Sequence, residues 1–458
     1  MFGTTRTTRT TGTTGTTRTT RTTGTTRMTR MTRTTGTTGT TGTTGTTGTT
    51  RTTGTTRTTR TTRTTSTTPR PMPAPRVAAS EAYAVPRHPA PVDLRLDGNE
   101  GPRPPDLRDA LADPELLRRY PASTALAATL AARLGVDPGR VLVTAGGDDA
   151  IDRLCRATLH AGRTLVLPAP TFEMIPRYAR LAGAEVREVP WPGAAYPTDA
   201  VLAAIDERTA LVAVVSPNNP TGAVATPDDL RRVCAAARHA AVLVDLAYCE
   251  YAEHGERMCA AALAEPNAIV VRTFSKAWGL AGARVGYAVG PADVIAWLRV
   301  AGAPYAVAGP SLALAAAMLA RGEPVLRAHV ARVRDERGAL ERLLAGHAAV
   351  TPSQANFVLA RLRDAAWVRD ALAGLGIAVR PFPGRPDLAD ALRIGLPGEP
   401  ALYARLEHAL RSALAPGAVL FALAGAANAS CDELAGAAST AGSGAAATAG
   451  SGAAATAG

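Results

Sequence analysis

Between residues 140 and 290 the chain alternates short β-branched runs with Ala-, Leu- and Arg-rich stretches. No other feature limits its fold as tightly. The apolar runs are RVLVTAG (140–146), TLVLPAP (164–170), AEVREVP (184–190), ALVAVVSP (210–217), AVLVDLAY (241–248), AIVVRTF (268–274) and RVGYAVG (284–290). Runs that are apolar on both faces need cover on both faces. The stretches between them, such as DDAIDRLCRATLHAG and PDDLRRVCAAARHA, read as amphipathic helices. Strands of this kind with helices between them define an α/β fold with a mainly parallel, seven-stranded sheet. Such a sheet binds ligands beyond the carboxyl ends of its strands.

After Pro291 the pattern changes. Helical runs cover about 292–346, followed by the strand candidates NFVLARL (356–362), GIAVRPF (376–382) and ALRIGLP (391–397), with a helix at 364–375 and a last one to about 414. This reads as a smaller α+β domain. The expected division is a large domain at 121–295 and a small one at 296–414, with residues 77–120 packing against the small one. Both ends differ in kind. Residues 1–76 are largely Thr-Thr-Gly and Thr-Thr-Arg triplets, and residues 415–458 are rich in Ala and Gly. Neither composition can bury enough apolar surface to offset chain entropy, so both are expected to be disordered.

Net charge has to be read by segment. The whole chain carries +12, but residues 1–76 hold 13 arginines and no acid. The rest is close to neutral, and it has no basic footprint for nucleic acid. The five cysteines, Cys155, Cys234, Cys249, Cys259 and Cys431, form no Cys-x-x-Cys pair. That pattern fits reduced thiols and a cytoplasmic protein. The apolar stretch APGAVLFALAGAA is too short and too broken by Gly and Pro to span a bilayer.

Polar residues collect where the strands end: Asn218 to Gly222 after the fourth, Asp245 and Tyr248 at the fifth, Thr273, Ser275 and Lys276 at the sixth. Alone, NPTG is a turn and Asp245 a helix cap. Lys276 is less easily dismissed. Of 50 basic residues it is the only lysine. The chain uses arginine wherever charge alone is required. A lysine differs from arginine in being able to lose its proton and act as a nucleophilic amine.

In order, SPNNPTG, VDLAY and SKAWGLAGARVGY resemble the fold-type I (class I and II) aminotransferases that use pyridoxal 5'-phosphate, in particular the histidinol-phosphate group. The resemblance spans about residues 92–412. It implies that Lys276 condenses with the cofactor's aldehyde. Asp245 would pair with the pyridine nitrogen, and Asn219 and Tyr248 would bond the ring's phenolic oxygen. The phosphate would lie on the backbone amides of Gly147 and Asp148 at a helix start, with Ser275, Arg284 and Thr273. Phe172 would stack on the ring. Arg393 would clamp a substrate carboxylate, and Arg380 would meet a phosphate on the substrate. Asn99, Glu100 and Asn356 would line the substrate pocket. Tyr120 matches a tyrosine that reaches the cofactor phosphate of a neighbouring subunit, which implies a homodimer with shared sites. The expected substrates are a small-molecule amino donor, an amino acid or a histidinol-phosphate-like amino-alcohol phosphate, and a keto acid, 2-oxoglutarate. A decarboxylase resembling the threonine-phosphate enzymes is the alternative on the same scaffold. Two positions depart from the family pattern: Leu246 replaces the usual Glu after the aspartate, and Gly101 interrupts the usual Asn-Glu-Asn-Pro run.

Overall fold

The computed structural model describes residues 72–84 and 86–415. The expected tails therefore lie outside the described residues, except at their inner ends, where a short helix, Pro75–Ala78, straddles the expected boundary. The APGAVLFALAGAA stretch also lies almost wholly outside them.

The strands are β1 (Leu94–Arg95), β2 (Val141–Thr144), β3 (Thr164–Ala169), β4 (Glu185–Pro190), β5 (Thr209–Val215), β6 (Ala241–Asp245), β7 (Ala268–Thr273), β8 (Gly286–Val289), β9 (Ala348–Val350), β10 (Phe357–Leu362), β11 (Ile377–Ala378), β12 (Arg380–Pro381) and β13 (Ala391–Gly395). Seven of them form one sheet in the order β2-β8-β7-β6-β5-β3-β4. Only β8 is antiparallel to its neighbours. These are the seven runs read from the sequence.

The reason for their doubly apolar pattern is visible in the core. Successive residues of one strand enter different clusters. Val212 and Val214 of β5, Val242 and Val244 of β6, and Val270 of β7 pack on one face. Leu211, Ala213, Leu243, Ile269 and Val271 pack on the other. Each face is covered by helices. The exception is β4, whose Glu185, Arg187 and Glu188 sit at a sheet edge, where charge discourages pairing with another chain.

A second sheet has the order β12-β13-β10-β9 and is antiparallel throughout. Its Phe357, Val358 and Ile394 belong to the same cluster as Val242 and Val270, so one core runs from sheet to sheet. GIAVRPF, read as one strand, is two. Ile377 and Ala378 pair in parallel with Leu94 and Arg95, and Arg380 and Pro381 pair antiparallel with Arg393 and Leu392. The chain changes partner at Val379. This switch brings the 94–102 segment over the end of the large sheet.

Candidate active site

A cavity of about 280 Å³ opens beyond the ends of β5, β6 and β7. The sheet explains its place, because parallel strands leave their carboxyl-end loops side by side. Of the residues expected from the sequence, Asn99, Gly147, Asp148, Phe172, Asn219, Asp245, Tyr248, Thr273, Ser275, Lys276, Arg284, Arg380 and Arg393 line it. Three do not. Glu100 is exposed, and its carbonyl accepts a hydrogen bond from Asn356. Asn356 is fully buried behind the wall, bonded to the backbone of Asn99 and Glu100. Tyr120 stands outside the cavity, 82% exposed, with its ring stacked 4.7 Å from that of Tyr305.

Asp245 ends β6 with its carboxylate buried, and its Oδ1 accepts a hydrogen bond from the Ala247 N–H (3.0 Å). Burial pushes the carboxyl up to about 7, and nearby Asp148 pushes the same way. Tyr248 opens the turn Cys249–Tyr251. Its hydroxyl accepts from Asn99 Nδ2 (3.1 Å), and its ring stands edge-on to Phe357. Asn99 holds a left-handed backbone (φ 54°), and its Oδ1 is buried without a partner.

Lys276 Nζ lies 5.7 Å from the centroid of the Tyr248 ring and donates to the Gly98 carbonyl (2.9 Å). The loop carrying Lys276 is tied to the Tyr248 turn by a buried charge. Glu250 Oε1 accepts from Trp278 Nε1 (3.2 Å) and from Arg272 Nη2 (2.9 Å). Removing one partner of such a buried pair costs about 3–5 kcal/mol. Neither Glu250 nor Arg272 was expected from the motifs.

At the other end of the cavity the Gly146–Thr158 helix begins, with its first amides unpaired by helix geometry. Beside it, Arg284 Nη1 donates to Ser275 Oγ (3.3 Å), and Arg284 Nη2 lies 3.2 Å from Asp148. Thr273 Oγ1 is 2.9 Å from Ser275 Oγ and accepts the Ser275 N–H. These groups form a cluster of donors around one helix N-terminus, which suits an anion.

The two asparagines of SPNNPTG have separate work. Asn218 is fully buried, bonded to Pro170, Thr171 and Thr221, and holds the loop. Asn219 faces the cavity, and its Oδ1 accepts from Arg393 Nη1 (2.6 Å). Arg393 Nη2 donates to the Asp97 carbonyl (2.6 Å), and Arg393 Nε has no partner. The sequence reading missed Tyr83, Asp97, Glu173, Phe382, Arg385 and Leu388 in the wall. Glu173 was within reach of it, as the neighbour of Phe172 after β3. The others lie in stretches without periodicity or at an unrecognised strand switch.

Residues 93–410 match the family described as aminotransferase class I and II. The chain is 37% identical over 321 residues to a protein named aromatic amino acid aminotransferase from Mycobacterium bovis, covering 67% of this chain and 90% of that one. It is 34% identical over 327 residues to histidinol-phosphate aminotransferase 1 of Thiobacillus denitrificans, covering 68% of this chain and 83% of that one. Among solved structures, histidinol-phosphate aminotransferase from Sinorhizobium meliloti, in complex with pyridoxal-5'-phosphate, matches with a TM-score of 0.63 and 26% identity, covering 71% of this chain and 91% of that one. The chain belongs to the class I and II aminotransferases, enzymes of fold type I that depend on pyridoxal 5'-phosphate.

Proposed function

We propose that the cavity transfers the amino group of an α-amino acid to a 2-oxo acid, with 2-oxoglutarate as the acceptor. One observation carries this reading. The only lysine of the chain meets, in one cavity, a buried carboxylate and an arginine with an unpaired Nε.

The residues suit the cofactor. Asp245 is a buried carboxylate whose environment disfavours its charge, and a protonated ring nitrogen would restore it. The amides of Gly147 and Asp148, with Ser275 and Arg284, would hold the phosphate, and Thr273 would orient Ser275. Phe172 would cover a ring face. Asn219 keeps its amide nitrogen for the ring's phenolic oxygen, because its Oδ1 is taken by Arg393. Tyr248 accepts from Asn99, which leaves its own proton to donate to the same oxygen. When bound, pyridoxal 5'-phosphate supplies an aldehyde that takes up amines and a ring that stabilises negative charge at the substrate α-carbon.

Arg393, already aligned by Asn219 and Asp97, grips the substrate α-carboxylate. With the cofactor bound, the free Lys276 amine would take the proton from the substrate Cα as a general base, and its conjugate acid would deliver that proton to the cofactor carbon that keeps the amino group. Arginine could not do this, because its guanidinium does not deprotonate.

The same reading divides the protein into a cofactor-binding part, 121–295, and a smaller part, 296–414. It also makes the protein a cytoplasmic homodimer in which Tyr120 serves the site of a second copy. In support, Tyr120 is far from buried, and Leu117, Trp297 and Val300 also expose large apolar side chains. The protein loaded with pyridoxal 5'-phosphate should convert 2-oxoglutarate to glutamate with at least one α-amino acid from a donor panel. Absence of turnover with every donor contradicts the reading.

A further inference from the structure

The outer end of the cavity carries charges that the proposed reaction does not use. Arg380 and Arg393 are directly opposed on β12 and β13, so their side chains leave the same face of the sheet. Two like charges side by side need a counter-charge. Arg393 is aligned by Asn219 and the Asp97 carbonyl and is left for the substrate α-carboxylate. Arg380 is held by Glu173, with Nη2 to Oε1 at 2.9 Å. The Arg380 side chain is almost buried, whereas that of Glu173 is half exposed. Tyr83 stands beside this pair, where burial and then the Glu173 charge push its hydroxyl pKa up. Farther out, Arg385 gives Nε and Nη2 to Asp387 at 2.9 and 2.8 Å. Each outer arginine thus already has its carboxylate. Phe172, Phe382 and Leu388 supply apolar wall around them.

We infer that Glu173 is a specificity-determining residue: it neutralises Arg380, so the site accepts an α-amino acid with an uncharged aromatic side chain and rejects an amino donor bearing a phosphate. This rests on the aminotransferase reading of the cavity. A phosphate monoester carries about −1.5 to −2 charges at neutral pH. To use Arg380 it must either displace Glu173 or sit beside its carboxylate, and both lower its affinity. An aromatic ring leaves the Glu173–Arg380 pair intact and buries its faces against Phe382 and Leu388. Selectivity of this kind comes from a repulsive element aimed at the wrong ligand as much as from attraction to the right one.

The test uses the full chain loaded with pyridoxal 5'-phosphate and 2-oxoglutarate as acceptor. kcat/KM is measured for phenylalanine, tyrosine and histidinol phosphate in the wild type, Glu173→Gln and Glu173→Asp. The wild type should prefer the aromatic amino acids over histidinol phosphate by at least about tenfold. Glu173→Gln should shrink that preference by about tenfold, through a lower KM for histidinol phosphate, and Glu173→Asp should keep it. A wild type that prefers histidinol phosphate overturns the inference without any variant. So does a Glu173→Gln protein that changes all donors in parallel. Turnover of no donor at all contradicts the aminotransferase reading instead, so the two failures are distinguishable.

Discussion

Glu336 and Asp245 are buried carboxyls pushed up to about 7 by the same cause, burial, yet they stand in different places. Asp245 faces the cavity, where a cofactor cation would restore its charge. Glu336 lies inside the Glu323–Leu344 helix face, with Oε2 accepting the Gly398 N–H (2.8 Å) and Oε1 unpaired. Arg332 pulls its pKa down, while Glu399 and Asp335 push it up. The folded carboxyl therefore holds a proton that the unfolded chain releases above its ordinary value of 4.5. Stability contributed by neutral Glu336 is complete below 4.5, falls as pH rises toward 7, and is lost above it. Glu336→Gln keeps an acceptor for Gly398 and removes the titration. Its stability relative to the wild type should grow across pH 4.5–7 and level off at a gain on the order of 3 kcal/mol. Thermal melts of the two proteins at several pH values check this, and parallel curves contradict it. None of this was legible in the sequence, because Glu336 sits among the ordinary charges of the helical run VRDERGALER. Lys276 was legible for the opposite reason: its side chain is unique in the chain.

At the scale of elements, the strands of the large sheet were legible, since all but β4 are buried on both faces and carry that fact in their own composition. The strap at 98–102 was not, because its position depends on β1 pairing with a strand nearly 300 residues away. Its geometry explains one departure from the family pattern. A side chain at Gly101 would overlap the Lys276 carbonyl oxygen, and one at Gly279 (φ 68°) would overlap the Pro102 carbonyl oxygen. The strap and the lysine loop touch backbone to backbone. This contact sets Gly98 against Lys276 Nζ and Asn99 against the Tyr248 hydroxyl. Gly101→Ala should force the two segments apart and cut kcat/KM by at least about 100-fold, since displacements near 1 Å cost that much in a positioned site. Circular dichroism and the melting temperature should change little. A variant with wild-type kcat/KM contradicts the role given to the strap. The other departure, Leu246, is fully buried in the core and touches no assigned chemistry.

At the scale of the whole molecule, two sheets share one core, and the residues between them meet in one cavity. Asn99 and Lys276 come from distant parts of the sequence, as do Asn219 and Arg393, which are 174 residues apart. That convergence is what turns separate weak motifs into a site. The uniqueness of Lys276 also makes the central claim testable on the intact chain. Apart from the chain's own amino terminus, no other primary amine exists to condense with an aldehyde. The decisive measurement is borohydride reduction of the protein loaded with pyridoxal 5'-phosphate, followed by peptide mass spectrometry. The account predicts one stable pyridoxyl adduct on the peptide that contains Lys276, and none there in Lys276→Ala. An adduct confined to the amino terminus, or full turnover by Lys276→Ala, would contradict it.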